Sequence, residues 1–148
     1  MIELTGKQTN AIADELELAN RCFLNIKTHE IKFIPTSDEA YLDPDIAKIY
    51  EEEFDSIVIN SSDYVEFEEP ATDEIYRIMQ QFSATITNTA LKDKLNFALR
   101  DKKPLRRFKM VLELHSNEYA RWKQFKRAKF IANIEEQIAL FNLNLFDE

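Results

Sequence analysis

From Pro70 onward the apolar residues of this chain return at helical intervals, and that periodicity restricts its C-terminal half to helices packed on one another. Ile75, Ile78, Met79, Phe82 and Ile86 keep i, i+3, i+4, i+7 and i+11 spacing, one face of a 3.6-residue period. Leu91, Leu95, Ala98 and Leu99 make a second stripe. Pro104 opens a third helix, where its missing N–H costs nothing, with Leu105, Phe108, Val111 and Leu112 on one side. Ser116 or Asn117 caps a long fourth helix running to about residue 141.

That last helix carries two apolar arcs. Tyr119, Trp122 and Phe125 form one; Phe130, Ile131, Ile134, Ile138 and Phe141 form another, about 120° away at 100° per residue. No Pro or Gly falls between them to force a kink. One helix with two packing partners is expected, long enough to run the length of the domain.

The N-terminal half has a different rhythm. Thr5-Gly6-Lys7-Gln8 fits a capping box, and Ile12, Leu16 and Ala19 follow at helical spacing. Two short runs, CFLNI at 22–26 and EIKFI at 30–34, flank a brief polar break and suggest a hairpin. His29 is expected in a left-handed turn position, which His tolerates better than most residues. Pro35 ends the second strand, and Asp43-Pro44 starts a short helix through IAKIYEEE. SIVIN, 56–60, reads as a third strand, while YVEF, 64–67, is too short to assign as strand or extended loop. The expectation is an α+β fold in one domain, residues 1–148. It has an N-terminal helix, a small antiparallel sheet of about three strands and about four C-terminal helices.

Composition narrows the chemistry. At 148 residues, 45% hydrophobic with eleven Phe, the chain has enough apolar material for a packed core. Gly6 is its only glycine, which excludes the P-loop and the dinucleotide fingerprint, since both need several positions of close backbone approach. The residues MIELTGKQTN have neither the basic nor the apolar part of a signal peptide, and no apolar run nears about 18 residues. With a single Cys there is no internal disulfide, so a cytoplasmic protein is expected.

The charge is polarised. Residues 1–91 hold 6 basic and 19 acidic side chains, a net of −13; residues 92–129 hold 13 basic and 4 acidic, a net of +9. The basic segment includes KKPLRRFKMVLELHSNEYARWKQFKRAKF, 102–130, in which aromatic residues interleave with cations. Nucleic-acid binding of single strands would need those rings exposed for stacking. Their spacing argues for the core instead: Phe108 shares a face with Leu105 and Leu112, and Tyr119, Trp122 and Phe125 follow i, i+3, i+6. The cations stay outside. Arg106 and Lys109 lie at i, i+3, and Lys123 and Arg127 at i, i+4; with Arg107 they are the candidate residues for a partner or a phosphate.

No catalytic or metal site can be assigned. His29 and His115 lie far apart without ligand spacing, and Cys22 begins a strand and reads as a small buried hydrophobe. C-x-x-C and G-x-S-x-G are absent, and EEEFD, 51–55, reads as a solvated helix end rather than a cation loop.

The series Tyr76, Met79, Phe82, then Leu91, Leu95, Ala98 and Leu99, then RRFK at 106–109 with Leu112, then Trp122 and Phe125, resembles uncharacterised protein family 0158, a group of small bacterial proteins. LNIKTHEIKFI is similar to that family's Leu-Asp-x-x-Thr-Gly-Glu segment, with Asn25 at the Asp position and His29 at the Gly position. The resemblance runs from about residue 10 to 140. It implies a single cytoplasmic domain and brings no activity, cofactor or catalytic residue.

The functional expectation is therefore a non-catalytic interaction or regulatory module. It would bind a protein partner through Arg106, Arg107, Lys109, Lys123 and Arg127, with no membrane and no nucleotide cofactor. RNA or DNA binding through the same cations is the alternative, and an enzyme with an unrecognised carboxylate site is the third.

Overall fold

Thr5 begins the first helix as the spacing of TGKQ requires. In the computed structural model, which describes residues 1–146, the Thr5 hydroxyl accepts from the Gln8 N–H at 3.1 Å and the Gln8 side chain accepts from the Thr5 N–H at 2.9 Å. The helix they open, α1, spans Gly6–Glu17. It closes through Ala19, whose φ of 61° lies in the left-handed region. The N–H groups of Ala19 and Asn20 donate to the carbonyls of Leu16 and Glu15, the paired bonds of a Schellman ending.

The chain forms two compact units, Met1–Glu69 together with the chain from Ile131 onward, and Pro70–Phe130. In the first, β1 (Arg21–Asn25) and β2 (Ile31–Ile34) make the expected hairpin. The Asn25 side-chain carbonyl accepts from the N–H groups of Lys27 and Thr28, and His29 sits at φ 62°, so the turn is built without glycine. Strand β3 (Tyr64–Phe67) pairs antiparallel on the other side of β1, giving the order β2-β1-β3. Arg21 clamps β1 to β3 with two hydrogen bonds of 2.9 Å to the Glu66 carboxylate, and this bonding raises the arginine pKa.

The third strand is thus not SIVIN. Residues 56–59 are the last turn of α2 (Pro44–Ile59), which starts at the expected Asp43 cap and runs well past the short helix expected there. The reason is packing. Tyr50, Phe54 and Ile57 continue a helical i, i+4, i+7 stripe, and Phe54 and Ile57 pack with Phe23 and Ile34 of the hairpin. A strand over 56–60 would break that stripe for a β-branched run of three residues. Val58 and Ile59 instead project into solvent. Pleating sends Cys22 and Leu24 to the opposite face of β1 from Phe23, and α1 packs on the sheet through Ile12, Ala13 and Leu16.

The second unit contains α3 (Thr72–Ala84), α4 (Thr89–Ala98), α5 (Pro104–Leu112) and the first part of α6 (Ser116–Phe146). Asn88 caps α4 by accepting from the Leu91 N–H at 3.1 Å. The expected stripes become the core: Ile78, Met79, Phe82, Leu91, Leu95, Phe108, Leu112 and Trp122 are all buried together. The change of arc along α6 has a physical counterpart. Residues 116–130 belong to the second unit with Tyr119, Trp122 and Phe125 on its core. From Ile131 the helix belongs to the first unit, where Phe141 meets Phe67 with ring centroids 5.6 Å apart. There Asn142 also bridges both backbone groups of Ile2, and Gln137 bridges both of Glu68.

Candidate functional site: a cation-rimmed apolar groove

Three helical faces of the second unit line one groove of ≈ 590 Å³. α3 contributes Thr72, Ile75, Tyr76 and Met79, the i, i+3, i+4, i+7 ridge that remains after Ile78 and Phe82 turn to the core. α5 contributes Pro104, Leu105, Arg106 and Lys109, with Lys103 at its N-cap, and α6 contributes Trp122 and Lys126, one turn apart. The floor is apolar: Met79 and Trp122 are buried, and Ile75 and Tyr76 are half-buried. Lys103, Arg106, Lys109 and Lys126 stand at the rim, and among the described residues no carboxylate lines the groove.

The floor is held firmly from beneath. Trp122 lies 5.0 Å from Phe108 and 5.2 Å from Phe82, centroid to centroid, and Phe82 also meets Phe125 at 5.5 Å. Tilted ring pairs at these distances are attractive beyond their buried area, so the indole has little freedom to move. α5 is anchored by Phe108 and Leu112, both fully buried, which fixes the flank bearing Arg106 and Lys109. At its start the Asp101 carboxylate accepts from the Lys103 N–H at 3.1 Å.

Of the five cations singled out in the sequence, the groove collects Arg106 and Lys109. Arg107 turns to the other flank of α5, where its guanidinium lies 3.5 Å from the Asp101 carboxylate and borders two smaller hollows. Lys123 and Arg127 do not line the groove; the Lys123 ammonium sits 4.7 Å from the centre of the Tyr119 ring. Lys103 and Lys126 complete the rim and were not among the five. Their signal was present in the spacing, since Lys103 is three residues before Arg106 and Lys126 four after Trp122.

The residues tested for chemistry are placed elsewhere. His29 is exposed at the hairpin tip, and His115 is half-buried just before α6. Cys22 is fully buried, and burial, with lesser effects of Glu15 and Glu66, pushes its thiol up to about 12. A thiol so placed is a poor nucleophile at neutral pH. In the acidic run, Glu51, Glu52 and Asp55 are exposed, and Glu53 approaches Lys32 at 4.0 Å. Among the described residues no group of three or more His, Cys, Asp or Glu is placed to hold a metal ion, and no helix is long and apolar enough to cross a membrane.

A family model described as uncharacterised protein family (UPF0158) matches residues 14–144. No curated protein and no solved structure matches the chain.

Proposed function

This chain belongs to uncharacterised protein family UPF0158, a description that assigns no activity, and from its surface we propose a non-catalytic interaction module of the bacterial cytoplasm that docks an acidic amphipathic helix of a protein partner. The observation behind this is the pairing of an apolar floor with a rim of Lys103, Arg106, Lys109 and Lys126, with no lining carboxylate among the described residues. A docked helix would lay its apolar stripe on Ile75, Tyr76 and Leu105, as helices do in hydrophobic grooves. Its flanking carboxylates would meet the rim, which gives orientation and a fast encounter more than raw affinity. The lining supplies cations, a tyrosine and a threonine, a furnishing suited to recognition rather than to proton transfer.

Direct nucleic-acid binding draws less support. Trp122 is 3% exposed, so its ring face is not free to stack on a base. The rim cations alone would track a phosphate backbone without the apolar floor contributing.

Fluorescence anisotropy separates the two. A labelled helical peptide with Leu at i, i+3, i+4 and i+7 flanked by Glu is titrated with the protein, alongside a mixed-sequence RNA. Saturable binding of the peptide, weakened in Arg106→Glu/Lys109→Glu and only moderately by salt, is expected. Binding of the RNA with a steep salt dependence, and none of the peptide, would replace this function with the nucleic-acid one.

A further inference from the structure

We infer that the chain carries its own ligand: the outward face of α2 on one copy fits the groove of another, so the protein self-associates through stripe and groove. The inference rests on the groove's taking an acidic amphipathic helix and names the helix.

At 100° per residue, Asp45, Ile49, Glu52, Ser56 and Ile59 fall within about 80° of one another on α2. Asp45, Ile49, Glu52 and Ile59 are exposed, Ile49 at 61% and Ile59 at 81%, and Ser56 is half-buried. The opposite side of the helix, with Phe54 and Ile57, is committed to the sheet. Two exposed isoleucines alternating with Asp45 and Glu52 along one helical stripe are the surface a cation-rimmed apolar groove would take.

The charges and lengths match. Lys103, Arg106 and Lys109 rise along α5 over about 9 Å at 1.5 Å per residue, and Asp45 to Glu52 covers about 10.5 Å on the same rule. Among these residues the rim is wholly basic and the stripe carboxylates wholly acidic, in keeping with a net of −13 over residues 1–91 against +9 over 92–129. Among the described residues Glu52 pairs with Lys48 at 4.0 Å, and both side chains are well exposed, so little holds that pair against exchange. A stripe on one copy meeting a groove on another can be made reciprocally in a two-fold dimer or serially in a ring or chain.

Sedimentation velocity on the full-length protein over a range of concentrations at low salt tests this, with two variants. Arg106→Glu/Lys109→Glu alters only the groove, and Glu52→Lys/Ile59→Lys alters only the stripe; circular dichroism checks that each is folded. Native protein is expected to associate with rising concentration. Each variant alone should lose association by more than about tenfold, because like charges then face each other across the contact. Mixed, the two variants should form a one-to-one heterodimer and nothing larger, since one retains a stripe, the other a groove, and a single contact remains. Native protein that stays monomeric, a two-fold dimer unmoved by either variant, or variants that ignore each other when mixed would each overturn the inference. If the acidic Leu/Glu peptide still binds the groove in that event, the proposed function survives; if it does not, both fall.

Discussion

Replacing Phe82 with alanine should remove more stability than any other single truncation of the groove's support. The ring is fully buried and touches Phe108, Trp122 and Phe125 at centroid distances of 6.2, 5.2 and 5.5 Å. Deleting a buried Phe costs about 3–5 kcal/mol, made up of lost transfer energy and the cavity left behind. Three lost ring pairs, each worth about 0.5–1.5 kcal/mol beyond area, place Phe82→Ala toward the upper part of that range. With a urea m-value of about 2 kcal/mol/M, a loss of about 4 kcal/mol lowers the unfolding midpoint by about 2 M. Trp122 is the only tryptophan and lies in the same cluster, so its fluorescence reports this transition directly. Ile59→Ala is the control: that side chain is 81% exposed, and its removal should change stability by no more than about 0.5 kcal/mol. A Phe82→Ala midpoint within about 0.5 M of the native one would refute the claim that these rings form the rigid base of the groove.

Two further outcomes follow from local structure. Ala19→Gly should stabilise the protein by about 1 kcal/mol, because the Schellman ending holds an alanine at φ 61° where glycine carries no Cβ penalty; urea unfolding measures it. Cys22 should make folding sensitive to alkali. Its folded-state thiol is pushed up to about 12, so above the ordinary thiol range the unfolded chain holds fewer protons than the folded one. Stability is then lost as pH rises from about 9 toward 12, at up to about 1.4 kcal/mol per pH unit. Cys22→Ala should show a correspondingly shallower alkaline decline in a thermal melt series.

Much of the second unit was legible because helix packing writes itself into the sequence at short range. Ile78, Met79 and Phe82 are neighbours on one helix before they are neighbours in a core, so periodicity alone found them. The hairpin was legible for a related reason: Asn25 and His29 supply local turn chemistry in place of the glycine a turn often uses. SIVIN misled because three apolar residues in a row carry no period. What decided its conformation was tertiary, namely the contact of Phe54 and Ile57 with Phe23 and Ile34. The rim of the groove was half legible. Arg106 and Lys109 share a helix face and could be paired from spacing, but Lys126 joins them only because α6 passes beside α5. Arg107, adjacent in sequence to Arg106, is sent to the other flank by the 100° step between neighbours.

The central claim is that the groove over Trp122 receives an acidic amphipathic helix. With one tryptophan in the chain, the indole Nε1–H gives a single resonance in a proton–nitrogen NMR spectrum. Titrating the Leu/Glu helical peptide should shift that resonance saturably, together with the amides of Ile75, Tyr76 and Lys109, and Arg106→Glu/Lys109→Glu should move the saturation to higher peptide concentration. An indole resonance that stays in place while the peptide binds, or shifts that fall outside α3, α5 and α6, would contradict it.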